Sequence, residues 1–268
     1  PVDCKIGFIG AGNMAGAIID GITGSGMLAP AQVAVYDIRE SQREHYAARG
    51  FKVSASAAAL VDGCDYVVLS VKPQNFADVL AEIKGHPRPE TVFVTIAAGI
   101  SAEFIKEALG CDAKVVRVMP NTPLLIGCGS TAMSRVAPAT EEEFAFVKSV
   151  FASAGGVEEV SPDKMNEVIP LNGSSPAYIY LFAKVFVDRA VELGFDADVA
   201  NRLFCNTLIG SARMMLESGK SHQELIDMVT SPKGTTFEGL AALERCGFDK
   251  ALIACFDDTV RRAYELGK

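Results

Sequence analysis

A chain of 268 residues, 49% hydrophobic and 22% charged, suits one or two ordinary folded domains. Its net charge of -8 disfavours nucleic acid or an anionic membrane as partner, and no apolar run has the length of a bilayer span, so a cytoplasmic location is the default expectation. Seven cysteines, an odd number without CxxC spacing, suggest neither a disulfide framework nor a zinc site, and no metal is expected.

The first predicted element is the strand Lys5-Ile6-Gly7-Phe8-Ile9, which feeds into Gly10-Ala11-Gly12-Asn13-Met14-Ala15 and then into a helix. Met14, Ile18, Ile19 and Ile22 repeat at helical spacing. Gly10 and Gly12 permit a tight turn and close backbone approach to a pyrophosphate, Ala15 permits close packing of helix on strand, and the free N–H groups of the helix face the anion. A GxGxxA pattern alone is weak, since a turn that needs small residues only for packing looks the same. Here a second strand follows, Gln32-Val33-Ala34-Val35-Tyr36, and ends at Asp37, the acidic position that completes the dinucleotide-binding pattern.

Further strands are predicted at Tyr66–Val71, Thr91–Ile96, Val115–Met119 and Gly156–Val160, with amphipathic stretches between them. Such alternation predicts a largely parallel sheet covered on both faces. Ser70, Val71, Lys72 and Pro73, like Ala97, Ala98 and Gly99, follow strands whose carboxyl ends should open toward the cofactor crevice. Thr140 and Glu143 have the spacing of a capping box, as do Ser221 and Glu224.

After Val160 the pattern changes: Ser161-Pro162 is predicted to open a helix, and no period-two run follows. Helical stretches are expected over about Pro176–Leu193 and Asp196–Glu217, with shorter ones from His222, Thr235 and Phe248. The fold class is therefore α/β: an N-terminal Rossmann-type doubly wound sheet over 1–160 and an all-α helical domain over 161–268. Apolar residues such as Ile179, Phe186, Leu203 and Met215 spread around more than one helical face, so a second copy is expected to cover them in a homodimer.

The loop Thr230-Ser231-Pro232-Lys233-Gly234-Thr235-Thr236 brings hydroxyls and small residues to a helix start, where they suit a carboxylate; ordinary N-capping is the alternative. Four segments in order resemble the pyrroline-5-carboxylate reductase family: Phe8-Ile9-Gly10-Ala11-Gly12-Asn13-Met14-Ala15, Ser70-Val71-Lys72-Pro73-Gln74, Val118-Met119-Pro120-Asn121-Thr122-Pro123, and this loop, preceded by Gly173-Ser174-Ser175-Pro176-Ala177-Tyr178. The resemblance runs from about Lys5 to Leu266. Two positions depart from it, since Ser175 and Lys233 stand where the family has glycine. A side chain at Lys233 means that this position need not adopt a glycine-only backbone angle.

The resemblance implies reduction of 1-pyrroline-5-carboxylate to L-proline, the last step of proline biosynthesis, by hydride transfer from NAD(P)H to the imine carbon, an oxidoreductase reaction on a CH–NH group. It implies Thr236 as the catalytic hydroxyl at the imine nitrogen, with Ser231 and the backbone N–H groups of Gly234 and Thr235 on the substrate carboxylate. Gly10, Gly12, Asn13 and Met14 would then line the pyrophosphate, and Met119 and Asn121 would lie near the nicotinamide. Asp37 favours a free ribose diol while Arg39 suits a 2′-phosphate, and the habit of the family tips the expectation to NADP, with NAD as the alternative. In the family the helical domains interlock, which implies a site completed by the partner subunit and leaves room for a larger homo-oligomer. His45, His86 and His222 lie outside every motif and read as surface residues. Competing readings are a 3-hydroxyacid or 6-phosphogluconate type dehydrogenase, for which Lys184 would be the catalytic lysine, and a non-catalytic NAD(P)-binding protein.

Overall fold

The computed structural model describes residues 4–267. Packing divides them into two units: one runs through Pro176 and takes in the segment from Thr259 on, and the other is Ala177–Asp258.

The first unit is built on an eight-stranded sheet. Its elements in chain order are β1 (Cys4–Ile9), α1 (Asn13–Gly24), β2 (Val33–Tyr36), α2 (Glu40–Ala48), β3 (Lys52–Val53), α3 (Ala57–Gly63), β4 (Cys64–Leu69), α4 (Phe76–Ile83), β5 (Val92–Thr95), α5 (Ala102–Leu109), β6 (Lys114–Met119), β7 (Gly129–Val136), α6 (Glu141–Ala152) and β8 (Gly155–Glu159). The strand order is β3-β2-β1-β4-β5-β6-β7-β8, and the pairings from β3 through β6 are all parallel. The chain leaves β1 toward one edge and returns to its other side as β4, so the reversal of strand order falls between β1 and β4. In a doubly wound sheet this switch point opens a crevice at the carboxyl ends of the strands.

The apolar runs become strands because both faces of the sheet are covered. On one face Phe8, Val35, Val68 and Val116 pack with Ile18, Ile19 and Ile22 of α1 and Phe144, Val147 and Phe151 of α6. On the other, Ile9, Val67, Leu69 and Phe93 pack with Leu60 of α3, Leu80 of α4 and Ile105 of α5.

Two strands depart from expectation. β7 carries no strand pattern of its own, because its sequence, Gly129-Ser130-Thr131-Ala132-Met133-Ser134-Arg135-Val136, is mostly small and polar; its pairing comes instead from antiparallel register with β6, as in Val118 opposite Met133. β8 pairs parallel to β7, so it runs against the direction of β1–β6. The helix expected at Ser161-Pro162 is corrected as well, since only a single 3-10 turn forms at Pro162–Lys164, and the next helix starts at Ser175. Between them the backbone forms successive turns, as in the bonds from the Val168 N–H to the Lys164 carbonyl and from the Asn172 N–H to the Val168 carbonyl, and side chains tie the stretch to the sheet. Arg117 donates to Asn166 Oδ1 at 3.1 Å, and Asn172 Nδ2 donates to the carbonyls of Met119 at 2.7 Å and Ser130 at 2.9 Å.

The remaining helices are α7 (Ser175–Glu192), α8 (Ala197–Glu217), α9 (His222–Met228), α10 (Thr235–Arg245) and α11 (Phe248–Leu266). Caps set their starts: Asp196 accepts from the Val199 N–H at 3.0 Å ahead of α8, and Ser221 and Glu224 close a capping box at α9. In the second unit the rings of Phe182, Phe186 and Phe204 lie 4.8–5.5 Å apart. Its sole buried residue is nevertheless Ala200, while Leu181, Leu216, Met228 and Val229 are exposed. A groove of about 970 Å³ between α8 and α9 is lined by Met214, Met215, Leu225, Ile226 and Met228 among others. Among the described residues, no helix is long and apolar enough to cross a membrane.

Candidate functional site

The turn after β1 has the geometry that a diphosphate requires. Gly10 adopts φ +94°, and a Cβ there would lie 2.7 Å from the Ser70 carbonyl oxygen, so glycine is needed both for the angle and for the contact with the end of β4. At Gly12, which caps α1, nothing lies within 4 Å of an added Cβ and no side chain caps the helix. The first-turn N–H groups of Asn13, Met14 and Ala15 lack intrahelical acceptors, and the helix dipole there favours an anion. A dinucleotide pyrophosphate fits these residues. Ser70 ties the two strand ends together, its Oγ donating to the Gly10 carbonyl at 2.6 Å and to the Ile9 carbonyl at 3.0 Å.

Asp37 and Arg39 follow β2 and meet each other. Asp37 Oδ2 accepts from the Ala11 N–H at 2.8 Å and from Arg39 Nη2 at 3.0 Å, while Oδ1 accepts from the Arg39 backbone N–H and Nε, each at 2.9 Å. Burial works to raise the Asp37 pKa, but the Arg39 guanidinium and the N–H groups of Arg39 and Ala11 outweigh it and hold the carboxyl below its ordinary value. Arg43 reaches back from α2, its Nη1 donating to the carbonyls of Asp37 at 2.7 Å and Ile38 at 3.0 Å.

Lys72 and Pro73 follow β4, with Lys72 exposed and Ser70, Val71 and Pro73 half-buried. Ala97 and Ala98, after β5, are half-buried. Gly99 is enclosed: it holds φ +79°, and a Cβ there would collide with the Ala263 carbonyl oxygen and crowd Leu266, so close packing with the end of α11 also requires glycine. Met119, the last residue of β6, is half-buried, and Asn121 beyond it is buried with its Oδ1 accepting from the Ser130 N–H at 2.9 Å. The first unit thus gathers Gly10, Gly12, Asn13, Met14, Arg39, Ser70–Pro73, Ala97–Gly99, Met119 and Asn121 at the carboxyl ends of β1, β2, β4, β5 and β6. Sequence reasoning missed Asn172, whose two hydrogen bonds fasten β6 to β7 beside Met119; nothing in its spacing signals that task.

The hydroxyl loop belongs to the second unit. The Gly234 N–H donates to the Ser231 carbonyl at 3.0 Å and closes a turn ahead of α10. That bond engages the Gly234 N–H, the amide that the resemblance assigns to the substrate carboxylate. Its part is spatial, since a Cβ there would collide with the Ser231 Oγ. Lys233 takes the left-handed angle φ +59°, a region open to L-residues at a cost and not confined to glycine. Thr230 Oγ1 donates to the Ile226 carbonyl at 2.7 Å and so serves α9. Ser231, Thr235 and Thr236 are exposed, and α10 starts without a side-chain cap, which leaves first-turn N–H groups beside these hydroxyls. A carboxylate is the natural guest of such a turn.

His45, His86 and His222 are exposed, and His86 contacts Asp62 at 3.1 Å. Lys184 pairs with Asp188 one turn along α7, on an exposed face.

Residues 162–266 match the family model described as "Pyrroline-5-carboxylate reductase dimerisation", and residues 5–99 match one described as "NADP oxidoreductase coenzyme F420-dependent". The chain is 37% identical to the pyrroline-5-carboxylate reductase of Methanosarcina acetivorans and 35% identical to that of Escherichia coli, over 98% of each chain in both comparisons. Among solved structures it is similar to a Plasmodium falciparum pyrroline carboxylate reductase with NADP bound, at 27% identity and a TM-score of 0.90 over 100% of both chains.

Proposed function

The chain belongs to the pyrroline-5-carboxylate reductase family, and from that premise we propose that it reduces 1-pyrroline-5-carboxylate to L-proline with NADPH. It is an NAD(P)H oxidoreductase acting, in this reading, on a C=N bond. Reduced nicotinamide supplies the hydride delivered to C5 of the pyrroline ring. The chain supplies binding and orientation.

On the cofactor side, the N–H groups of Asn13 and Met14 hold the pyrophosphate, with Gly10 and Gly12 allowing the approach, and Arg39 meets the ribose 2′-phosphate. Ser70, Val71, Lys72, Pro73, Ala97, Ala98 and Gly99 wall the crevice, and Met119 and Asn121 form its nicotinamide end. On the substrate side, the Ser231 hydroxyl and the N–H groups of Thr235 and Thr236 hold the carboxylate. The Thr236 hydroxyl faces the imine nitrogen. A threonine hydroxyl is too weak an acid to deliver the proton, so the imine binds protonated and its N–H donates to Thr236 Oγ1. Residues 1–160 act as the nucleotide-binding domain and 161–268 as the substrate-binding and dimerisation domain of a cytoplasmic homodimer.

The observation that carries this reading is the turn Ser231–Thr236, which leaves three hydroxyls and a helix start exposed and uncapped in a stretch matched by the dimerisation model. The test is loss of NADPH absorbance on adding pyrroline-5-carboxylate. Thr236→Ala should lower kcat roughly tenfold to hundredfold, the worth of one hydrogen bond to a charged group at about 1.5–3 kcal/mol, while Thr236→Ser keeps most of the rate. Absence of turnover by the unaltered protein would refute the reading, and full activity of Thr236→Ala would remove this residue from its role.

A further inference from the structure

A carboxylate at the end of the second strand of a dinucleotide-binding sheet ordinarily receives the ribose hydroxyls, and in that role it repels a 2′-phosphate. In this chain the Asp37 carboxylate is already full. Four donors occupy its two oxygens: the Ala11 N–H, the Arg39 N–H, Arg39 Nε and Arg39 Nη2. The side chain of Asp37 is 6% exposed and that of Arg39 is 55% exposed, so the acid lies beneath the cation. A guanidinium carries five N–H donors, and these two bonds use the inner edge. Both protons of Nη1 and one of Nη2 have no acceptor among the described residues and form an outward fork. Arg43, which clasps the carbonyls of Asp37 and Ile38, adds a second cation and holds the turn in place.

We propose that Asp37 is a positioning residue for NADP: it is masked from the ribose by Arg39 and holds the free edge of that guanidinium toward the 2′-phosphate. The residue that by type argues for NAD thereby favours the phosphorylated cofactor. This inference rests on the NADP site proposed above, but it concerns how the site selects its nucleotide, not which imine is reduced.

Calorimetric titration of the full chain with adenosine 2′,5′-bisphosphate and with 5′-AMP tests it without any turnover, because the two probes differ only in the 2′-phosphate. The unaltered protein should bind the bisphosphate at least tenfold more tightly. Asp37→Asn should cut that preference several-fold and leave the 5′-AMP affinity unchanged. Arg39→Ala should abolish it, and the double variant should lose no more than Arg39→Ala alone, since Asp37 acts through Arg39. Arg39→Lys keeps the charge and the fold but not the fork, so it too should lose most of the preference. A gain in bisphosphate affinity in Asp37→Asn, or an equal loss for both probes, would overturn the proposal, as would full preference in Arg39→Lys. Failure to oxidise NADPH with pyrroline-5-carboxylate would instead strike the proposed reaction and leave the titrations unaffected.

Discussion

Lys233 holds a backbone angle that an L-side chain resists, at a cost of about 1–2 kcal/mol. Lys233→Gly relieves that strain but adds about 0.5–1 kcal/mol of backbone freedom to the unfolded chain, so a net gain of about 0.5–1 kcal/mol should appear as a higher denaturation midpoint. An unchanged or lower midpoint would show that the turn carries no such strain. Nothing in the residue type fixes that angle, because the bond from the Gly234 N–H to the Ser231 carbonyl sets the turn. The tight turn at Gly10 is legible for the complementary reason: it is local, and strand, glycines and helix stand next to one another in the chain. Asp37 and Arg39 looked like opposing signals because spacing cannot show that a side chain two residues on folds back over its neighbour.

Among the elements, α6 shows how a motif visible in sequence is tied into the sheet. Thr140 Oγ1 accepts from the Glu143 N–H at 3.2 Å, and Glu143 Oε2 accepts from the Thr140 N–H at 2.8 Å. The other oxygen, Oε1, accepts from Lys114 Nζ of β6 at 2.6 Å. Burial works to raise the Glu143 pKa, yet Lys114 and the cap outweigh it, so the carboxyl titrates below its ordinary value near 4.5. A folded-state pKa below the unfolded one contributes stability that is present above the unfolded value and is lost as pH falls through the folded one. Glu143→Gln should therefore cost about 1 kcal/mol near neutrality and show a shallower loss of stability than the unaltered chain below about pH 4.5. Parallel denaturant titrations across that range measure the difference, and identical acid limbs would exclude the role. The Thr140 and Ser221 caps were legible because they span three residues. β7 was not, because its small polar residues become a strand only once β6 lies alongside, and the turns after Pro162 are tied to β6 by Arg117 and Asn172 across long stretches of chain.

At the scale of the whole molecule, the alternating first unit could be read in outline because buried parallel strands announce themselves as unbroken apolar runs. The helical stretches were equally plain, and their surplus of apolar faces pointed to a second copy. Leu216, 85% exposed on α8, is a sharp probe of that cover. Leu216→Glu should shift the protein from dimer toward monomer in size-exclusion light scattering and lower activity with it; an unchanged dimer would exclude this face from the contact. The near-absence of enclosed residues in Ala177–Asp258 has a consequence for life at low abundance. When folding is completed by association, mass action enters the stability itself, and the melting temperature climbs with protomer concentration. A scarce chain of this kind is then fragile for want of company, and each newly made copy is safest where others have already accumulated.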